Sequence, residues 1–447
     1  MSGVIGIFSR KKNSDLVDSL FYGLAALQHR GEGGAGMSIA KNNGDILTKR
    51  GEKLVYYLFK DEIDFLKAVE PRTGIGHVLY ENIGGIQPME AAGKKYKIAF
   101  AMDGVLMRVS GRHDIFVRDL FLEALEKQKD IFRASKQVMD KLSGRGSYCI
   151  VCLVSDGSEV KLVAMRDPVG IKPLCIGRKN GQYLVASESK GLHGAAADLV
   201  RDVEPGEVIV VSKKGVEAKI VRKENHMHCA FEWVYFADPT SIIEGKNVYF
   251  VRKKLGEMLA DKYDLDIDVV IASPDSGRGV AIGYAQKSGV PFEEAVIKNP
   301  GAKRTFQVED PKERKKAARS KFFINKDVVK GKRVGIGDDS IVRGTVVRDG
   351  TIFKLKICKA KGVYAIISCP PLCFPCFKDP GGKNLAAYGL FNLSVEQIGR
   401  KVAKKLGADG VCYPTVEMLQ QAIGHKGLCM ACLDGKYPVK KEFMKKK

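Results

Sequence analysis

Long hydrophobic runs are missing from this chain, and so is the basic-then-apolar leader of a secreted protein. No stretch approaches the ~20 apolar residues that a bilayer crossing needs, so a soluble, cytoplasmic protein without membrane attachment is expected. Internal repeats and long low-complexity tracts are also absent, which excludes a solenoid and an extended disordered arm. Cysteine is too sparse for a disulfide scaffold, eleven in 447 residues, and reduced thiols are expected. Acidic residues are outnumbered, 52 against 74 Lys and Arg, for a net charge of +22. Such a surface concentrates anions. The lysines are nevertheless spread along the chain, apart from residues 312–321 and 440–447, and no nucleic-acid-binding motif accompanies them. An anionic substrate, or a general lysine bias, accounts for the charge as well as nucleic acid would, and the missing motif argues against nucleic acid.

What is present is enough apolar sequence for more than one core: 45% hydrophobic positions over 447 residues, a length at which two or three domains are the prior. From Gly3 to about Ile220, short apolar runs such as Val4 to Phe8, Ile98 to Met102, Tyr148 to Val154 and Val208 to Val211 are separated by Gly- and Asp-rich turns, the pattern of a strand-dominated lobe. Three-and-four spacing predicts helices over Asp15 to Gln28 and Val117 to Leu142. After Cys229 the rhythm changes. A helical stretch, Val248 to Tyr263, leads into the apolar strand Asp268 to Ala272, and Arg333 to Gly337 precedes another loop. Strands alternating with helices imply a parallel α/β sheet. The boundary falls near residues 222–232, giving domains 1–225 and 226–447.

The most informative stretch is Gly335-Ile-Gly-Asp338-Asp339-Ser340-Ile341-Val342-Arg343-Gly344-Thr345. An apolar strand runs into two carboxylates and then a turn rich in hydroxyls and glycine. Its backbone amides, with the Ser340 and Thr345 hydroxyls, can face one phosphate, and Gly344 permits close approach. The aspartates can hold ribose hydroxyls and a Mg²⁺ that carries pyrophosphate. Taken alone, Asp-Asp-Ser is equally a turn with a helix cap. A second loop, Ala272-Ser-Pro-Asp275-Ser276-Gly277-Arg278-Gly279, also follows a β-branched strand.

The eleven-residue stretch resembles the phosphoribosylpyrophosphate motif of type I phosphoribosyltransferases, in the form used by the amidophosphoribosyltransferases. The resemblance covers about residues 3–440. It implies an αββα N-terminal-nucleophile hydrolase-like lobe of the α+β class, followed by an α/β phosphoribosyltransferase lobe with a parallel sheet. It further implies that Asp275, Ser276, Gly277, Arg278, Lys298, Arg304 and the whole run from Asp338 to Thr345 meet the substrate, with Ser276, Asp338 and Asp339 at the Mg²⁺. Lys298-Asn299 and Arg304-Thr305-Phe306 match the ends of the loop that closes over substrate. Between them stands Pro300-Gly-Ala-Lys303, where the family has Arg-Tyr-x-Gly, so side chains that would exclude water are missing.

The N-terminal lobe is similar to class II glutaminases through Gly23 to Gly31, Gly76-His77-Val78, Gln87-Pro88, Arg166 to Leu174, Ala186 to Ser189 and Arg201 to Glu207. Those enzymes attack glutamine with an N-terminal cysteine exposed once Met1 is removed; this chain offers Ser2. Leu79 replaces the arginine that pairs with the glutamine carboxylate, and Asp103-Gly104 replaces the Asn-Gly of the oxyanion hole. An aliphatic chain cannot replace a bidentate arginine, and an ionised Asp103 would oppose the growing oxyanion, where losing one donor already costs roughly 10²–10³ in rate. The acidic motif expected around Gly111 to Phe116 is unrecognisable. A lobe that keeps its fold without glutaminase activity is expected.

Cys229, Cys376, Cys429 and Cys432, the last two at C-x-x-C spacing, suit Zn²⁺ or a [4Fe–4S] cluster, and spacing does not separate the two; singly, each reads as a buried small hydrophobe. All four match the cluster-bearing subgroup of the family, which implies [4Fe–4S]. Cys369 and Cys373 lie near enough in sequence to substitute for Cys376, and Cys229 is expected to open a linker strand running to Phe236.

The expected activity is transfer of nitrogen to C1 of phosphoribosylpyrophosphate with release of diphosphate, giving 5-phosphoribosylamine for purine synthesis. Nitrogen would come from ammonia or from an ammonia-supplying partner. The resemblance also implies a homo-oligomer and inhibition by purine nucleotides. Two alternatives stand beside it: a catalytically silent paralogue that binds the same ligand or a nucleotide in regulation or assembly, and a transferase with another acceptor.

Overall fold

The computed structural model describes residues 2–10, 15–41, 44–80, 85–299, 316, 318–377, 384–425 and 427–444. The expected loop-end residues Arg304, Thr305 and Phe306, and the departing stretch Pro300 to Lys303, lie outside them. Among the described residues no helix is long and apolar enough to cross a membrane. The chain forms two compact units: Met1–Cys229 with Thr240–Gly245 and Pro438–Lys447, and Ala230–Pro239 with Lys246–Tyr437.

The first unit holds two antiparallel sheets. One has the order Asp198–Asp202, Cys175–Lys179, Gln182–Ala186, Gly3–Ser9, Thr73–Leu79, Gly34–Ala40, Ile46–Gly51. The other runs Gly215–Ile220, Glu207–Ser212, Val160–Arg166, Gly146–Ser155, Lys97–Leu106, Met89–Ala92. Both faces of each sheet are covered, which is why the strands read as continuous apolar runs. In Gly3–Ser9, Val4 and Phe8 join Ala99, Ala101 and Val151 between the sheets, while Ile5 and Ile7 pack on Leu16, Leu20 and Leu24 of the helix Asp15–Ala26. In Lys97–Leu106 the period of two repeats: Ile98, Phe100 and Met102 face Leu120, Phe121 and Val138 on the second helical layer. The result is the αββα sandwich.

The helix expected from Val117 to Leu142 is instead a pair, His113–Gln128 and Ile131–Leu142. Lys129 adopts a left-handed φ of 52°, and the Asp130 carboxylate accepts from the Arg133 amide at 2.8 Å, capping the second helix. Apolar spacing continues across the break because both helices press the same sheet.

In the second unit a parallel sheet has the order Val269–Ala272, Arg333–Asp338, Gly362–Ile367, Gly410–Cys412. The linker strand expected from Cys229 to Phe236 stops at its first residue: His228–Cys229 is a two-residue strand, and Glu232–Phe236 is a wide π-helical turn. The fully buried Arg252 explains it, donating to the carbonyls of Trp233 at 2.8 Å and Ala237 at 2.7 Å, so that the aromatic-rich segment closes on itself rather than on a neighbouring strand.

Candidate active sites

The parallel register sets Ala272 beside Gly337 and Asp338 beside Ile367, so the loops after these strands leave the sheet at one carboxyl edge, where open α/β sheets place ligands. Ser273 donates from its amide to Gly337 O at 2.8 Å. A Cβ on Gly277 would stand 2.3 Å from that same carbonyl, so only glycine allows the two loops to approach this closely. The Ser276 hydroxyl reaches one Asp339 carboxylate oxygen at 2.5 Å and the Ser340 hydroxyl reaches the other at 2.5 Å. Ser368 and Cys369 hold the Asp339 carbonyl through a hydroxyl at 3.1 Å and an amide at 2.9 Å.

Asp338 and Asp339 are both buried. Burial, and then the charge of Asp339, push the Asp338 carboxyl well above the usual range. Two buried carboxylates and a serine hydroxyl form an all-oxygen donor set that suits Mg²⁺, and a dication would relieve the like-charge strain. Gly344 has φ 80° and ends the loop ahead of the helical turn at Val346. Ile341 is buried, and the Val342 carbonyl accepts from the Ala386 amide at 2.7 Å, so these two residues brace the loop. Ser340, Arg343 and Thr345 are half-buried on it.

Arg278 begins the eleven-residue helix Arg278–Ser288, whose free amides and positive dipole end lie at the end of the loop that follows Ala272. Its guanidinium is already engaged, by Asp275 at 2.9 Å and Glu294 at 3.1 Å, and Lys298 approaches Asp275 at 3.6 Å. The exposed Asp275 thus lies between two cations, Arg278 and Lys298.

The other site lies at the start of the chain. Ser2 is buried; its amide donates to Asp103 Oδ1 at 3.1 Å and its hydroxyl accepts from the Tyr80 amide at 3.2 Å. Burial alone would raise the Asp103 carboxyl, but Lys172 and Arg30 overcome it and hold the group down at about 2. Lys172 Nζ sits 2.5 Å from one carboxylate oxygen and Arg30 3.4 Å from the other. Asp103 is therefore ionised and already neutralised. The repulsion expected from its charge is thereby muted, and as a carboxylate it accepts but does not donate. Gly104 lies in the antiparallel ladder opposite Tyr148. Leu79 is buried at a strand end and brings no charge.

Asp114, within the stretch expected to have lost its acidic motif, is buried and bound by Arg112 at 3.1 and 2.6 Å and by the Gly85 amide at 3.1 Å. It is not available to a ligand ammonium. Burial lowers the His77 imidazole to about 4, so it stays neutral. Sequence reasoning passed over Arg30, Lys172 and Glu188 as charge partners, although all three stand in the stretches that carried the glutaminase resemblance.

Of the four cysteines, Cys229 belongs to the first unit and Cys376, Cys429 and Cys432 to the second. The Phe374 amide donates to Cys432 O at 3.1 Å, and the Tyr437 hydroxyl to Pro375 O at 2.6 Å, closing the cysteine-bearing loops on each other. Burial and then the thiols of Cys376, Cys432 and Cys429 push the Tyr437 phenol up to about 12.

A glutamine amidotransferase domain model matches residues 118–194. The amidophosphoribosyltransferase of Pyrococcus horikoshii is 38% identical over 98% of this chain and 96% of its own length, and that of Methanocaldococcus jannaschii 36% identical over 100% and 99%. Among solved structures, the glutamine phosphoribosylpyrophosphate amidotransferase of B. subtilis, complexed with ADP and GMP, superposes with a TM-score of 0.82 at 32% identity, covering 98% of this chain and 97% of its own. Identity sustained from end to end, over two units with these strand-end loops, shows that the chain belongs to the amidophosphoribosyltransferase family.

Proposed function

We propose that the chain transfers nitrogen from ammonia to C1 of 5-phosphoribosyl 1-diphosphate, and that its first unit does not hydrolyse glutamine. The carrying observation is the contrast between the two sites: Asp338, Asp339, Ser276 and Ser340 are gathered at one strand end, whereas Asp103, which the family resemblance aligns with the oxyanion hole, is ion-paired with Lys172 and Arg30. In this reading Asp338 and Asp339 hold the ribose hydroxyls and, with Ser276, the Mg²⁺ that lends positive charge to the leaving diphosphate. The amides opening the Arg278 helix, with Arg278 and Lys298 released from Asp275, orient the diphosphate and take up its charge as the C1–O bond breaks. The turn from Ser340 through Arg343 and Gly344 to Thr345 cradles the 5-phosphate.

The test is diphosphate release with either donor. With ammonia, release should proceed; with glutamine it should run at least ~10²-fold slower, and Ser2→Ala should leave both rates unchanged. Glutamine-dependent release abolished by Ser2→Ala would overturn the reading, and substrate binding without release from either donor would make the chain a regulatory paralogue.

We further propose a [4Fe–4S] cluster on Cys376, Cys429 and Cys432, with Cys229, by its family resemblance, as the fourth thiolate. Anaerobically purified protein should contain iron and acid-labile sulfide in equal amounts, and Cys429→Ser/Cys432→Ser should lose most of both. Protein holding neither, or stoichiometric zinc, would refute the cluster.

A further inference from the structure

A continuous run of buried polar contacts links the Ser2 pocket to the segment Thr240–Gly245, which belongs to the first unit although it lies in sequence between two pieces of the second. One arm starts at Ser241, fully buried, whose hydroxyl donates to Glu188 Oε2 at 2.7 Å. The other Glu188 oxygen takes Arg30 and, at 2.9 Å, His29. Arg30 then donates to the Ser2 carbonyl at 3.0 Å and reaches Asp103. A second arm starts at Glu244, which pairs with the fully buried Arg166 at 2.7 Å. Arg166 donates to the Lys172 carbonyl at 2.8 Å, and the Lys172 ammonium closes on Asp103. The two arms meet on one carboxylate.

Along this circuit Arg30, Arg166 and Lys172 alternate with Asp103, Glu188 and Glu244, with His29 also on Glu188 and His226 3.4 Å from Glu244. With asparagine at position 103, as in the glutaminases this lobe resembles, three buried cations would face two carboxylates. The remaining acids beside Arg166 are Asp167 and Asp202. Burial raises both, and Glu244 helps lift Asp202 to about 6.

We infer that Asp103 has turned the former catalytic pocket into the keystone of a closed ring of ion pairs and hydrogen bonds that seats the Thr240–Gly245 segment, with Ser241 and Glu244 as its positioning residues. The segment is a tight hairpin: Glu244 and Gly245 take left-handed φ of 46° and 75°, and the Ile242 amide donates to Ser189 Oγ at 2.8 Å. Two residues later Asn247 caps the helix Val248–Lys262, its side chain accepting from the Tyr249 and Phe250 amides. Seating this segment is a structural task for the pocket, whatever the second unit transfers.

Hydrogen exchange of the full chain, read by mass spectrometry on peptides covering residues 240–245, tests the ring. Asp103→Asn, which touches no atom of the segment, should speed exchange there by about tenfold while leaving the Gly215–Ile220 hairpin unchanged. Unchanged exchange at 240–245, or a uniform rise over the whole unit, overturns the proposal. Should that variant not fold, Ser241→Ala and Glu244→Gln decide. In a closed ring the double variant exchanges little faster than the faster single one; if the two increases multiply, the contacts are independent anchors and no ring exists.

Discussion

Asp339→Asn should lower diphosphate release with ammonia by roughly 10³-fold, with most of the loss in kcat. Both carboxylate oxygens are oriented by hydroxyls, Ser276 on one side and Ser340 on the other, and the backbone carbonyl is pinned by Ser368 and Cys369. An amide of the same shape keeps one acceptor, turns a donor toward the second serine and removes the charge that would face a cation at the diphosphate. The variant should still fold, since the neighbouring loops are anchored through backbone groups. A loss smaller than about tenfold would remove Asp339 from the reaction.

Lys172→Met should be among the most destabilising single changes in the first unit, at about 3–5 kcal/mol, because it leaves a buried carboxylate without its nearest cation. For a unit of this size that corresponds to a fall in Tm of roughly 10 °C. Pairing it with Asp103→Asn should recover much of the loss, since the orphaned charge is gone. The pH dependence has a definite sign. In the native chain Asp103 titrates near 2, below its ordinary 3.8, so its contribution is complete above about pH 4 and lost as the pH falls toward 2. In Lys172→Met burial dominates and the folded pKa rises, so mild acid should narrow the gap between variant and native chain. A Tm within about 2 °C of native at pH 7 would show that the pair does not matter to the fold.

Much of the architecture is legible in the residues. Runs such as Val4 to Phe8 and Ile98 to Met102 become strands buried on both faces, and Asp338-Asp339-Ser340 stands at a strand end as its composition implies. What escapes the sequence are features decided by distant partners. The break at Lys129 is hidden because two helices on one sheet share one apolar phase. The turn at Glu232–Phe236 depends on Arg252, a residue whose side chain could not be paired with carbonyls in advance. The state of Asp103 is set by Lys172, 69 positions away, so that a residue expected to repel an oxyanion is instead part of a neutral pair. The resemblance implies that Arg278 and Lys298 meet the substrate, but nothing in the sequence shows their engagement with Asp275.

The division of the chain has a consequence for its birth on the ribosome. The first unit is interrupted: residues after 245 build the other unit, and Pro438–Lys447 then returns, with the Lys440 amide on Gly144 O and Arg145 over the Phe443 ring. At ordinary elongation speeds, on the order of ten to forty seconds separate the emergence of residue 245 from that of residue 438. Throughout that interval the nascent first unit lacks its closing segment. The inserted unit, by contrast, emerges as a nearly unbroken stretch and can be complete before the lobe that precedes it.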